Sequence, residues 1–114
     1  MLDRPANPVR GEASVSLPSG PCILRPSFEA LVAAEEELGS LFALVERAAG
    51  GKLLLSEIVI LFWHCRSNRT DNLDRETFGR VLVGLGLTGL TPPLRVLLKQ
   101  ILAGSDHDDK SVQS

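Results

Sequence analysis

The spacing of apolar and polar residues changes period once along the chain, and the change separates two kinds of structure. In Glu12–Leu17, EASVSL, the residues Ala13, Val15 and Leu17 alternate with Glu12, Ser14 and Ser16. A period of two predicts a half-buried strand. The turn-rich PSGP comes next, then CILR, a short second strand stopped by Pro26. Together they predict a β-hairpin over 11–26, which is too small to stand alone and must pack on the rest. Beyond Pro26 the period is helical. Ser27 is a suitable N-cap, Phe28, Leu31, Val32, Glu35 and Leu38 share one face, and Gly39 supplies a stop. Ser40 caps a second helix that buries Leu41, Leu44, Val45 and Ala48 and ends at Gly50-Gly51. A third helix is expected from a Ser56 cap to about Cys65; Ile58–Trp63 leaves it almost no polar face, as in a central or partner-covered helix. Asp74 caps a fourth, burying Phe78, Val81, Leu82 and Leu85, which Gly84, Gly86 and Gly89 break. Thr91, ahead of Pro92-Pro93, caps a last helix carrying Leu94, Leu97, Leu98, Ile101 and Leu102 and ending at Gly104.

The fold class predicted is α+β, mostly α: a short N-terminal β-hairpin followed by about five short helices. The same reading divides the chain into a flexible N-terminal arm at 1–10, a single globular domain at 11–104 and a disordered charged tail at 105–114. Within the domain, the hairpin takes 11–26 and the helical part 27–104.

Composition narrows the function. A chain of 114 residues, 44% hydrophobic, builds one modest core. Its net charge of -2, scattered cations and 4% aromatic content argue against nucleic-acid binding. The longest apolar run, Ile58–Trp63, is too short to span a bilayer, and MLDRPANPVRGEA lacks the apolar stretch of a signal peptide. Cys22 and Cys65 stand far apart and suit reduced thiols in a cytoplasmic protein.

The residues with chemical potential do not assemble into a catalytic site. Glu35-Glu36-Glu37 would point in directions roughly 100° apart on a helix and cannot converge on one atom. Glu36 and Glu37 are expected in solvent, with Glu35 nearer the apolar face and within reach of Arg80 or Arg95. His64 and Cys65 are neighbours on a helix and so cannot act as base and nucleophile. His107 with Asp106, Asp108 and Asp109 falls in the tail and supports only weak cation affinity. The run CRSNRTDNLDRETFGRVLVGLGL resembles a calcium loop with its exit helix, but with Glu76 at the twelfth position, Cys65 and Arg69 replace oxygen ligands and Thr70 replaces the turn glycine. GLGLTG has the wrong spacing and context for phosphate. No catalytic, metal-binding or cofactor-binding residues are assigned, no small-molecule substrate is implied, and a non-enzymatic binding protein is expected.

Arg10-Gly11-Glu12 leading into the hairpin, the spacing Phe28, Leu31, Glu35, Leu38-Gly39, and the helix ended by Gly50-Gly51 together resemble the phage tail-assembly chaperones of gene transfer agents and related prophages. The likeness runs over roughly residues 10–104, departing from the family pattern in the bulky ILFWHCR. It implies a cytoplasmic protein of the producing bacterium that binds and solubilises the tape-measure protein during tail morphogenesis. Tail-tube subunits and further copies of the chain are the other partners implied; nucleic acid and membrane are not. The residues expected to bind are Ile58, Leu61, Phe62 and Trp63 on the third helix and Leu97, Leu98 and Ile101 on the last, with part of the set needed for the core. The alternative is a structural tail-tube or head–tail connector component retained in the particle, which the exposed edge of a hairpin favours.

Overall fold

Strands β1 (Ala13–Leu17) and β2 (Gly20–Leu24) pair antiparallel, with Ala13 opposite Leu24 and Leu17 opposite Gly20. The structure is a computed structural model and describes residues 12–18, 20–67 and 73–103. The expected arm, the expected tail with its His107 cluster and the Gly104 stop lie outside the described residues.

A two-residue loop makes Leu17 and Gly20 a hydrogen-bonded pair, so every second residue of β2 turns its backbone groups away from β1. Pro21, opposite Ser16, occupies such a position, where a missing N–H takes nothing from the ladder. Ile23 occupies the next, and its carbonyl accepts from the Ser67 N–H at 3.0 Å, while Arg25 N–H donates to the Cys65 carbonyl at 2.7 Å. Residues 65–67 therefore flank β2, and β1 remains at the edge with Ser14 and Ser16 exposed. The alternation expected of β1 is present, Ala13, Val15 and Leu17 being buried.

Local chemistry sets the helix ends. Helix α1 (Phe28–Leu38) begins where Ser27 Oγ accepts from Ala30 N–H, and α2 (Leu41–Ala49) where Ser40 Oγ accepts from Ala43 N–H, each at 3.1 Å. Helix α3 (Leu55–Cys65) starts earlier than a Ser56 cap would allow. Its first turn is closed by Glu57, whose carboxylate accepts from Leu54 N–H at 2.8 Å and from the Arg47 guanidinium at 2.6 Å. Helix α4 (Arg75–Ala103) opens with Asp74 Oδ1 accepting from Thr77 N–H at 2.7 Å.

Among the described residues there are thus four helices rather than about five, because α4 takes in both of the last two expected ones. Gly86 interrupts it with φ 81 and ψ 159, a conformation essentially restricted to glycine. Thr91 is not a cap: its hydroxyl donates to the Leu87 carbonyl at 2.7 Å within the second segment, upstream of Pro92 and Pro93. By length and composition α4 is apolar enough to cross a membrane. Here Phe78, Leu82, Leu90 and Leu97 enter the protein's own core, and the axis breaks at Gly86.

Helix α3 lies between α1 and α4, which accounts for its nearly continuous apolar sequence. Leu61 and Phe62 meet Phe78 and Leu82 of α4, Leu24 of the hairpin and Leu44 of α2 in one core. The face that α1 buries differs from the expected stripe. Ala34 is fully buried and Ala30, Leu31 and Leu38 pack at the core edge, while Phe28 and Val32 are exposed. Alanines let α1 sit close to α3, and that approach turns Phe28 outward.

Candidate interaction surfaces

Of the residues expected to bind a partner, Ile58, Leu61, Phe62 and Leu97 are buried in the core cluster. Trp63, Leu98 and Ile101 are half-buried. Trp63 is engaged internally, with the Arg66 guanidinium 3.7 Å from its ring centroid and the Phe78 ring 5.6 Å away at a tilt of 60°. The physical reason is the place of α3: with α1 and α4 as neighbours, Ile58, Leu61 and Phe62 are taken up by the core, and of its aliphatic residues only Leu55, Val59 and Ile60 reach the surface.

The exposed apolar surface lies elsewhere. Phe28, in the first turn of α1, is 78% exposed, and Phe42, in the first turn of α2, is 63% exposed. With Val32 and Leu102 they surround a cleft of about 360 Å³, floored by Leu31, Leu41 and Ile101. A second depression, about 500 Å³, runs between α3 and the first half of α4. Leu55, Val59 and Ile60 form one wall, Gly79 and Val83 the other, and Arg75 and Arg80 stand at its rim. A Cβ at Gly79 would lie 3.3 Å from Val59 Cγ1, so the two helices touch at the floor because this residue has no side chain. A third hollow of about 490 Å³ continues past Leu55 to Leu87, Leu94 and Arg95. Of the expected set, Ile101 lines the cleft and Ile58 and Leu98 line the third hollow; Phe28, Phe42 and Gly79 were not singled out for binding, and the signals available were an aromatic in the first turn of each of two successive helices and a glycine early in the fourth.

Of the glutamate triplet, Glu36 and Glu37 are exposed as expected, and two of the three make contacts that the sequence did not specify. Glu37 is not merely solvated: it joins three helices, pairing with Arg75 of α4 and with His64 Nε2 of α3 at 2.6 Å. The Arg75 guanidinium, then His64, hold its carboxyl down at about 2. Glu35 meets neither Arg80 nor Arg95; its carboxylate accepts from Leu41 N–H at 3.1 Å and so steadies the start of α2. Arg80 pairs instead with Glu76 at 2.6 Å, one helical turn away. Glu12 is buried against Arg25 at 2.9 Å, tying the start of the hairpin to its end. Cys22 and Cys65 are free and buried, and burial pushes the Cys65 thiol up to about 12, which leaves it un-ionised and poorly nucleophilic. Among the described residues no three His, Cys, Asp or Glu side chains gather as a metal site would require.

Residues 10–104 match the family described as phage tail tube protein, GTA-gp10. Comparisons with curated proteins and with solved structures found no match. The matched span takes in the hairpin and all four helices, and it supports the assignment to a phage or gene-transfer-agent tail module. It corrects the chaperone expectation, since the family is one of tail tube proteins, and it gives no support to the tape-measure protein as client. The chain belongs to the phage tail tube protein family, GTA-gp10.

Proposed function

We propose that the chain is a structural subunit of the tail tube of a phage or gene transfer agent, retained in the finished particle and acting without catalysis. The observation that carries this reading is the family match over residues 10–104, which spans the whole described fold rather than one element of it. The surfaces are compatible with a building-block role. Phe28, Val32, Phe42 and Leu102 are exposed around one cleft of a small domain, and contiguous exposed apolar groups in such domains mark sites of protein contact. Its partners are then tail-tube subunits, further copies of this chain among them.

The test is the composition of purified particles. Quantitative mass spectrometry of particles released by the producing bacterium is expected to find this chain in many copies each, and electron microscopy after deletion of its gene is expected to show heads without tails. Recovery of the chain from the lysate alone, with none in particles, would overturn the reading.

A further inference from the structure

We propose that a hollow of about 280 Å³, where β2, α1 and α3 meet, binds a small oxyanion of the phosphate class. The proposal goes beyond the tail-tube reading and does not depend on it.

Three segments bring the site together. Arg25 follows the last residue of β2, Ser27 caps α1, and His64, Arg66 and Ser67 lie at the end of α3 and just past it. The backbone bonds from Arg25 N–H to the Cys65 carbonyl and from Ser67 N–H to the Ile23 carbonyl pin the segments to one another. The lining is therefore set by the fold before any ligand arrives.

Its chemistry differs from that of the other three hollows. Each of those is walled by leucine, isoleucine or valine, whereas this one has no such residue in its lining. Arg25 and Arg66 bring two permanent positive charges to it, against one carboxylate, Glu29. Arg66 is 8% exposed, and its guanidinium lies 3.7 Å from the Trp63 ring centroid and 5.3 Å from that of Phe78. Both rings hold the cation in place, so little side-chain freedom is lost when an anion binds. Arg25 uses Nε on Glu12, at 2.9 Å, and a guanidinium has four further N–H donors. Glu12 itself is buried and stands outside the lining. Ser27 Oγ accepts from Ala30 N–H, so its own hydrogen is left to donate.

These groups select the ligand. Arginine N–H donors match phosphate oxygens in pairs, and two guanidinium groups from different segments suit a tetrahedral group that accepts from several sides. The positive end of the α1 dipole adds to the same preference. A metal cation would meet like charge.

The test uses the full chain, isotope-labelled for nuclear magnetic resonance, with sodium phosphate replacing sodium chloride at pH 7 and constant ionic strength. The amide signals of Arg25, Ser27, Ala30 and Arg66 are expected to shift together and to saturate. Ser27→Asp keeps a capping side chain on α1 and puts a carboxylate into the hollow. It is expected to weaken phosphate binding at least about tenfold, whereas Glu29→Gln, which removes the opposing charge, should tighten it about threefold. Circular dichroism checks that both variants fold. Shifts that never saturate, that chloride alone reproduces, or that keep the parent's midpoint in Ser27→Asp would overturn the proposal. Glycerol phosphate is the second probe. Binding tighter than that of inorganic phosphate identifies a phosphate ester as the source of the anion, and weaker binding the free ion; either outcome keeps the site.

Discussion

Four phenylalanines divide evenly between two regions of the molecule. Phe62 and Phe78 have no exposed surface, whereas Phe28 and Phe42 are 78% and 63% exposed. All four lie on helices with apolar neighbours at helical spacing. The difference comes from what each helix is packed against. Helix α3 is enclosed by α1 and α4, so Phe62 finds Phe78 and Leu61 around it. Helix α1 approaches α3 through Ala30 and Ala34, and small residues at the contact leave its one phenylalanine on the far side. An aromatic residue on an amphipathic helix is thus assigned to core or surface by the smallest residues on that helix as much as by its own hydrophobicity.

The comparison can be broken most severely from inside. Phe62→Ala should lower the unfolding free energy by about 3–5 kcal/mol, since it removes a buried ring and leaves a cavity; denaturant titration measures it, and a loss below 1 kcal/mol would place Phe62 outside the core. Next comes the break that positions the two halves of α4. Gly86→Ala should cost about 1–3 kcal/mol through the backbone alone, because nothing lies within 4 Å of the added methyl group. Thermal unfolding followed by circular dichroism reads that loss. Ser40→Ala, which removes the cap of the helix that carries Phe42, should cost about 1 kcal/mol, seen as a lower denaturation midpoint.

Smaller effects sharpen the contrast. Glu37 is ionised in the fold down to about 2, against an ordinary 4.5, so its contribution is complete above 4.5 and is lost as pH falls toward 2. Glu37→Gln should therefore lower the melting temperature slightly at pH 7, and parent and variant should converge by pH 2. A gap that persists unchanged into acid would mean that the ion pairs with Arg75 and His64 are not its source. Smallest of all for stability, Phe28→Ser and Phe42→Ser should each change the unfolding free energy by no more than about 0.5 kcal/mol. A larger loss would show that one of these rings is covered within the monomer.

Much of the fold was legible because its determinants are local. Alternation in EASVSL, serine caps at 27 and 40, and aspartate at 74 act through residues within one turn of themselves. What failed depends on contacts between distant segments. An all-apolar helix has no phase, so Ile58–Trp63 gave no sign of which residues face α1, α4 or solvent. Ser56 has a capping side chain, but the turn closed by Glu57 and Arg47 starts the helix before it. Glu37 acquires its partners only because α3 and α4 bring His64 and Arg75 to the end of α1. The candidate surfaces were invisible for the same reason, since each is made by two or more helices. The resemblance led to the right tail module but the wrong role, as its residues are caps, turns and packing positions that report on shape and carry no information about which partner the surface meets.

The interruption at Gly86 sets the angle between two surfaces. The depression between α3 and α4 is built on α4 before this residue, and Ile101 and Leu102 of the cleft come after it. The two hollows are therefore placed relative to one another by the backbone torsions at this single position, and a change of a few degrees there swings one surface against the other without disturbing the packing inside either.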